Sequence, residues 1–230
     1  MSTTEEHVAA EFEGVRVPPS PFLTKKLVHR INIGRYEHPE RKLSDKLVRP
    51  GDRVIEMGAG LGFVGAYIAK QKAGVTLNSF EANPELIPYI KALYKMNKIE
   101  DRATVHNAIL APDADRIESI QFHVNEAYQS SSVFEREGVE QETIDVAAED
   151  WSRVRDSLSP DCLIIDIEGG ELNFFKGAEL DGVRAMIVEF HPKHYGQHGY
   201  AECLTAIHNA GFKQVHHRWE VRSFVREGTV

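Results

Sequence analysis

Short apolar runs and amphipathic segments alternate along most of the chain. Runs typical of buried strands cover residues 53–60, 75–82, 103–110, 162–170 and 183–191. Segments with apolar residues at helical spacing cover residues 61–72, 83–97, 151–158, 171–179 and 200–211. This alternation predicts an α/β fold with a mainly parallel sheet and helices on both faces.

Two regions interrupt the alternation. Residues 111–150 contain two predicted strands, 116–124 and 139–150, on either side of a polar loop. Residues 212–227 predict an antiparallel hairpin with its turn near Trp219, which adds an antiparallel strand at one edge of the sheet. Because ligands of such sheets bind beyond the carboxyl ends of the strands, we expect functional residues where strands stop.

The length of 230 residues suits one α/β domain. The prolines at positions 18, 19 and 21 disfavour helices and strands alike. We therefore expect residues 1–21 to form a flexible N-terminal arm and residues 22–230 to form a single domain.

Charge and composition limit the partners. The formal net charge is −8 and no run of Lys and Arg forms a phosphate-binding stripe, so we expect no nucleic-acid partner. The polar, acidic start is not expected to act as a signal peptide, and no apolar run approaches the ~20 residues of a membrane helix. Cys162 and Cys203 form neither a C-x-x-C pair nor a disulfide framework. We expect a cytoplasmic protein with no membrane partner.

The segment VIEMGAGLGFVG fits two cofactor loops. Gly60, Gly62 and Gly65 match the G-x-G-x-x-G fingerprint of dinucleotide binding. With Glu56 and Gly58, the first two of these glycines also match the E-x-G-x-G-x-G loop of methyl-donor enzymes. A carboxylate at position 56 repels a pyrophosphate but attracts the sulfonium and ammonium groups of S-adenosylmethionine. The loop therefore favours the methyl donor over NAD(P).

Several stretches resemble the FkbM-like methyltransferases. They are GRYEHPE, RPGDRVIEMGAGLGFVGAYIA, SFEANPELIPYIKALYKMN, HNAIL, LIIDIEGGELNFFKGAE and MIVEFHP, and together they span roughly residues 34–192. The chain departs from the family where Glu56, Gly60 and Gly170 stand in place of the frequent Asp, Asn and Ala. The resemblance implies a Rossmann-like class I methyltransferase fold with a seven-stranded, mostly parallel sheet. It also implies S-adenosylmethionine as cofactor.

Under this resemblance, a set of residues at strand ends is expected to bind the cofactor. They are Tyr36, Glu56, Gly58, Ala59, Gly60, Gly62, Glu81, Ala82, Asn83, Asn107, Ala108 and Asp166. Glu56 is expected to face the amino group of the cofactor, and Glu81 its ribose hydroxyls. The alternative roles are helix capping for Asn83, a plain turn for Asn107 and packing for Tyr36.

A second cluster follows two later strands. Asp166 and Glu168 end one predicted strand, and Glu189 and His191 end another, so we expect these catalytic candidates to converge beside the methyl group. One of them would deprotonate a substrate hydroxyl, or the acids would hydrogen-bond hydroxyls. A divalent metal held by Asp166, Glu168 and Glu189 is a further interpretation. Glu171 has helix capping as its simplest role.

Three histidines, His191, His194 and His198, lie within eight residues. Zinc is a weak interpretation because no cysteine joins them. The proline and glycines among them predict a loop, which we expect to line the substrate pocket.

The sequence thus predicts an S-adenosylmethionine-dependent methyltransferase. The polar stretch within 111–150, with Tyr128 and Ser130–Ser132, is expected to shape the acceptor site and favours O-methylation of a sugar, glycan or secondary metabolite. The alternatives are N-methylation of a small molecule, an NAD(P)-dependent oxidoreductase and a non-catalytic module. The sequence leaves open the acceptor and the oligomeric state, including a homo-oligomer.

Overall fold

The computed structural model describes residues 7–112, 118–124 and 142–228. Its strands are β1 (Ala10–Phe12), β2 (Val15–Val17), β3 (Arg53–Met57), β4 (Thr76–Phe80), β5 (Ala103–His106), β6 (Ile109–Ala111), β7 (Ser119–Val124), β8 (Glu142–Asp150), β9 (Cys162–Ile165), β10 (Ala185–Glu189), β11 (Phe212–Arg218) and β12 (Val221–Arg226). Its helices are α1 (Lys25–Asn32), α2 (His38–Leu47), α3 (Phe63–Gln71), α4 (Ile87–Met96), α5 (Trp151–Leu158), α6 (Glu171–Gly177) and α7 (Pro192–Asn209).

The main sheet has seven strands in the order β11-β12-β10-β9-β3-β4-β5. The pairs from β10 to β5 are parallel. β12 runs antiparallel to both β10 and β11. The predicted sheet and its C-terminal hairpin are therefore confirmed. The chain continues from β3 to β4 and β5 on one side, whereas β9 and β10 lie on the other, so the strand order reverses between β3 and β9.

The sheet has a hydrophobic core on each face. Along β3, Val54 belongs to a cluster with Ile68 and Leu93, which come from α3 and α4. The next residue, Ile55, belongs to a second cluster with Ile207 from α7. Since successive strand side chains point to opposite faces, this partition shows helices packed on both sides.

A smaller sheet has the strand order β6-β8-β7. The single strand expected over residues 103–110 is divided, because β5 ends at His106 and Ile109–Ala111 pairs with β8 instead. Asn107 lies at this division and donates hydrogen bonds from its side chain to the carbonyls of Glu81 and Ala82, both at 2.9 Å. These two hydrogen bonds to the loop after β4 hold the turn at which the chain leaves the main sheet.

The N-terminal segment differs from the expected flexible arm. β1 and β2 form an antiparallel hairpin, and Val15 and Val17 are buried in the core. The first proline, at position 18, follows the hairpin and therefore removes none of its ladder hydrogen bonds. Residues 1–6 lie outside the described part of the chain.

Two helices have other bounds than the sequence suggested. α4 begins at Ile87, because Asn83 accepts a hydrogen bond from the Glu85 N–H at 3.0 Å and shapes a turn before the helix. Pro88 then lies in the first turn of α4, where its missing N–H leaves no carbonyl unpaired. The loop expected around His191–Tyr200 is wrong, since α7 begins at Pro192 and only Gly196 leaves the helical conformation. In the described ranges, no helix is long and apolar enough to cross a membrane.

Arg41 fixes the segment between α1 and α2. Its side chain is 0% exposed and donates hydrogen bonds to the carbonyls of Gly34, at 2.6 Å, and Tyr36, at 3.1 Å. Its guanidinium carbon also lies 4.6 Å from the ring centroid of Phe12 and 5.2 Å from that of Tyr67. One buried cation therefore joins the N-terminal hairpin, the α1–α2 connection and α3.

We predict that Arg41→Lys lowers the free energy of unfolding by about 2–4 kcal/mol, because an ammonium cannot reproduce the planar donor fork and leaves a buried carbonyl unpaired. Chemical denaturation measures this change. The exposed residue Arg35 provides the matched control, and Arg35→Lys is expected to change stability by less than about 0.5 kcal/mol. Equal stability of the two variants would contradict the structural role of Arg41.

Candidate functional site

A cavity of about 420 Å³ opens at the carboxyl ends of β3, β4, β9 and β10. Its lining includes Gly58 after β3, Glu81 after β4, Asp166 after β9 and Glu189 at the end of β10. The cavity therefore lies where the strand order reverses, the position at which open α/β sheets bind their ligands.

Gly58 brings β3 and β9 together at the cavity floor. Its φ is 80°, and a side chain here would overlap the backbone carbonyl oxygen of Asp166. Its N–H donates a hydrogen bond to the carbonyl of Phe80 at 2.9 Å. Only glycine combines this conformation with so close a backbone contact.

Glu56 holds the start of α3 from beneath the glycine loop. It is buried, and its Oε1 accepts a hydrogen bond from the Gly65 N–H at 2.8 Å. Its Oε2 accepts one from the Ser79 hydroxyl at 2.5 Å, and that hydroxyl also contacts the Tyr94 hydroxyl at 2.7 Å. Burial raises the pKa of Glu56 to about 7, although both hydrogen bonds favour its charged form.

Glu81 links the glycine loop that follows β3 to the loop that follows β4. Its Oε2 accepts a hydrogen bond from the Gly60 N–H at 2.7 Å, and its Oε1 accepts one from the Asn83 N–H at 2.8 Å. Burial raises the pKa of Glu81 to about 7, and the backbone hydrogen bonds oppose this shift. The carboxylate is thus held in one orientation at the end of β4.

Most residues expected to bind the cofactor line the cavity. These are Tyr36, Glu56, Gly58, Ala59, Gly60, Glu81, Ala82, Ala108 and Asp166. Among the described residues, Gly62, Asn83 and Asn107 fall outside this lining and instead shape the loops around it. Their contact with a cofactor stays a prediction.

Glu171 orients His191. Glu171 is 0% exposed, and its Oε1 lies 3.0 Å from both the Gly169 nitrogen and His191 Nδ1. Its Oε2 accepts a hydrogen bond from the backbone N–H of His191 at 3.3 Å. Glu171 lies in the first turn of α6 but makes no capping hydrogen bond to that helix. Its carboxylate instead binds the loop before α6 and the imidazole of His191, a contact that the sequence pattern did not indicate.

The four catalytic candidates converge as expected. His191 Nε2 lies 3.7 Å from Asp166 Oδ1, 3.7 Å from Glu168 Oε2 and 3.9 Å from Glu189 Oε1. Burial disfavours the charged imidazole, but the hydrogen bond and charge of Glu171, with the other acids, outweigh it and raise the pKa of His191. Burial and the nearby charge of Glu189 raise the pKa of Asp166 well above its ordinary value.

Two further acids come from the N-terminal part of the chain. Glu37 precedes α2 and Glu40 lies in its first turn, and both line the cavity beside Glu189. Burial, followed by the charge of Glu189, raises the pKa of Glu37 to about 7. Burial, followed by the charges of Glu37 and Glu189, raises the pKa of Glu40 to about 9. Glu40 was not among the residues expected at the site, although its spacing of three residues from Glu37 is typical of one helical face.

Two groups of three side chains in the described ranges place potential metal-binding atoms within 4.8 Å of one another. One contains Asp166, Glu189 and His191, and the other contains Glu37, Glu40 and Glu189. Glu168, which the expected divalent site included, belongs to neither group.

The other two histidines of the weak zinc interpretation also belong to neither group. His198 Nε2 instead contacts Glu202 Oε1 at 3.0 Å, with a His198 side chain that is 92% exposed. Within the described ranges, neither His194 nor His198 therefore contributes an atom to these two groups.

The structure describes only part of the cavity wall at which the acceptor was expected to bind. Ile120 and Phe122 of β7 line the cavity, and so does Phe174 of α6. Tyr128 and Ser130–Ser132, which were expected to shape the acceptor site, lie outside the described residues.

The Methyltransferase FkbM domain is the family whose model matches this chain, over residues 56–214. Precorrin-6y C5,15-methyltransferase from Geobacter metallireducens GS-15 has a similar structure, with 11% identity, a TM-score of 0.52 and coverage of 89% of this chain and 92% of its own. The structure of magnesium protoporphyrin IX methyltransferase from Synechocystis PCC 6803 with bound SAM is also similar, with 14% identity and a TM-score of 0.50. The match covers 89% of this chain and 86% of that protein.

A protein in the NADB-Rossmann superfamily from Streptococcus agalactiae also matches, with 8% identity and a TM-score of 0.48. The match covers 81% of this chain and spans 65% of the length of that protein. The two methyltransferase structures show that this chain has the Rossmann-like methyltransferase fold.

We predict that Glu56 and Glu81 make the stability of the ligand-free protein fall as pH rises. Their folded-state pKa of about 7 exceeds the ordinary 4.5, so the folded state binds protons more tightly. Their stabilising contribution is complete below pH 4.5 and is lost as pH rises through 7. Denaturation midpoints measured between pH 4.5 and 8 test this trend.

The variant Glu56→Gln should flatten this dependence by roughly 1–3 kcal/mol across the range, since an amide does not titrate. The exposed Glu100 gives the control, and Glu100→Gln should retain the wild-type slope. An unchanged slope in Glu56→Gln would contradict a raised pKa at position 56.

Proposed function

Since the chain belongs to the FkbM methyltransferase domain family, we propose that it transfers a methyl group from S-adenosylmethionine to a hydroxyl oxygen of a small-molecule or glycan acceptor. The observation that carries this proposal is the convergence of Asp166, Glu168, Glu189 and His191 around the cavity that the glycine loop also lines.

The chain's residues fit this cofactor. When bound, S-adenosylmethionine supplies a methyl group already activated by a positively charged sulfur. The cavity of about 420 Å³ has the size of a small-molecule site. Each oxygen of Glu81 accepts one backbone hydrogen bond and retains a second lone pair for a ribose hydroxyl. The surrounding carboxylates favour a cationic ligand.

We assign the role of general base to Asp166. Asp166 lines the cavity, and its Oδ1 accepts no hydrogen bond from the described part of the chain. Its raised pKa makes the ionised carboxylate a stronger base than that of a solvent-exposed aspartate. Asp166 would accept the proton of the acceptor hydroxyl, and bound S-adenosylmethionine would supply the methyl group that the hydroxyl oxygen receives.

His191 positions Asp166 and stabilises its negative charge. Because Glu171 holds Nδ1 at 3.0 Å, Nε2 faces Asp166, Glu168 and Glu189. A protonated imidazole in this position stabilises the ionised form of Asp166. Glu171 and His191 therefore influence the proton transfer through the Asp166 carboxylate, which lines the cavity.

The anionic cluster favours an oxygen acceptor over a nitrogen acceptor. Nearby carboxylates stabilise the protonated form of an amine, which has no free electron pair with which to attack the methyl carbon. A hydroxyl instead donates a hydrogen bond to the same carboxylates and becomes more nucleophilic. The family match likewise favours methyl transfer over the nicotinamide-dependent oxidation that the glycine spacing left open.

We predict that Glu81→Gln weakens the binding of S-adenosylmethionine by about tenfold to a hundredfold, because an amide replaces a charged acceptor of the ribose hydroxyls. Isothermal titration calorimetry with S-adenosylmethionine measures the loss. Glu100→Gln serves as the matched control and should bind like the wild type. Absence of binding by the wild type would contradict the cofactor assignment.

We predict that Asp166→Asn lowers kcat by about 10²–10⁴-fold through loss of the base. The assay detects S-adenosylhomocysteine released with sugars, polyols and phenols as acceptors, and mass spectrometry locates the added methyl group. The exposed Asp145 of β8 gives the control, Asp145→Asn, with the same change of charge. A wild-type kcat in Asp166→Asn would exclude this residue as the base.

A further inference from the structure

Glu37, Glu40 and Glu189 form a compact group of carboxylates. Glu37 and Glu40 are three residues apart at the start of α2, and Glu189 ends β10. One carboxylate oxygen from each residue lies within 4.8 Å of the other two. All three residues also line the cavity, so an ion can reach them from solvent.

The burial of Glu40 with an unpaired carboxylate oxygen requires an explanation. The residue is only 4% exposed, and its Oε2 accepts no hydrogen bond from any described residue. A buried carboxylate oxygen without a partner is costly, and two further carboxylates beside it add repulsion. Arg41 does not relieve this cost by hydrogen bonding, since the donors of Arg41 that bond in the described structure face the carbonyls of Gly34 and Tyr36.

We propose that Glu37, Glu40 and Glu189 bind a divalent metal ion of the size of Mn²⁺ or Ca²⁺. This inference goes beyond the proposed methyl transfer and does not depend on it.

The spacing of the oxygens fits such an ion. Oxygens bound to one Ca²⁺ lie about 2.3–2.6 Å from it, so two of them are at most about 5 Å apart. The limit of 4.8 Å within this group satisfies that condition without rearrangement. Carboxylates are also the ligands that these hard cations prefer, and water from the cavity can complete the coordination.

The neighbouring group of Asp166, Glu189 and His191 is the weaker candidate. His191 Nδ1 is already 3.0 Å from Glu171, and Nε2 lies 3.7 Å from Asp166 and 3.9 Å from Glu189. These contacts pair an imidazole with carboxylates, whereas a metal would need the same Nε2 as a neutral ligand. Glu189 is shared by both groups, so the other members distinguish them.

Mn²⁺ binding to the full chain without S-adenosylmethionine tests the site. We expect electron paramagnetic resonance to show one bound Mn²⁺ per wild-type chain, displaced by Ca²⁺. Glu40→Gln should weaken Mn²⁺ binding at least about tenfold, because it removes a charged ligand. His191→Gln, which removes a member of the neighbouring group and no ligand of the proposed site, should keep the affinity within about twofold. Circular dichroism confirms that each variant is folded, and Glu37→Gln repeats the test if Glu40→Gln does not fold.

Three results would overturn the proposal. The first is no Mn²⁺ binding by the wild type at millimolar concentrations. The second is loss of Mn²⁺ in His191→Gln with retention in Glu40→Gln, which would place the ion in the neighbouring group. The third is unchanged Mn²⁺ binding in Glu40→Gln with weaker S-adenosylmethionine binding, which would assign Glu40 to the ammonium group of the cofactor. Because the metal is measured without cofactor, failure of this site leaves the proposed methyl transfer intact.

Discussion

The close contact between Gly58 and the backbone carbonyl of Asp166 sets the geometry on which the site depends. β3 and β9 pair in parallel up to Met57 and Ile165, and one residue later their backbones come too close for a side chain at position 58. The glycine loop therefore turns away from the sheet directly beside the first acid of the catalytic cluster. A cofactor on the loop and a proton acceptor at Asp166 can then face the same cavity, which is the arrangement that transfer of a group between two bound molecules requires.

The buried acids divide into two kinds by their hydrogen bonds. Glu56 and Glu81 accept backbone N–H groups and stabilise the loops, so each is part of the scaffold even without a ligand. Asp166, Glu168 and Glu40 each keep one buried oxygen that accepts no hydrogen bond from a described residue. Since an unpaired buried carboxylate oxygen is costly, these three positions are where a ligand, a proton or a cation gains most by binding. The first kind fixes the shape of the cavity, and the second gives it chemical reactivity.

The sequence predicted those parts that depend on local pattern. Apolar runs and helical spacing located the main sheet, and several stretches between residues 34 and 192 identified the family that the comparison confirmed. Local composition failed where a distant contact decides. The histidine-rich segment after β10 contains Gly196 and Pro192, yet it is helical because proline suits the first turn and the glycine only interrupts α7. Glu40 was missed because its burial depends on α2 meeting the end of β10, which residues far apart in the chain determine.

A crystal structure of the chain with S-adenosylhomocysteine tests the alignment of methyl donor and base most directly. We predict that the ribose hydroxyls bond Glu81, that the methionine part lies on the loop from Gly58 to Gly60, and that the free side of the sulfur faces Asp166. A nucleoside bound elsewhere, or a sulfur directed away from Asp166 and Glu189, would contradict the claim that this cavity aligns a methyl donor with its base.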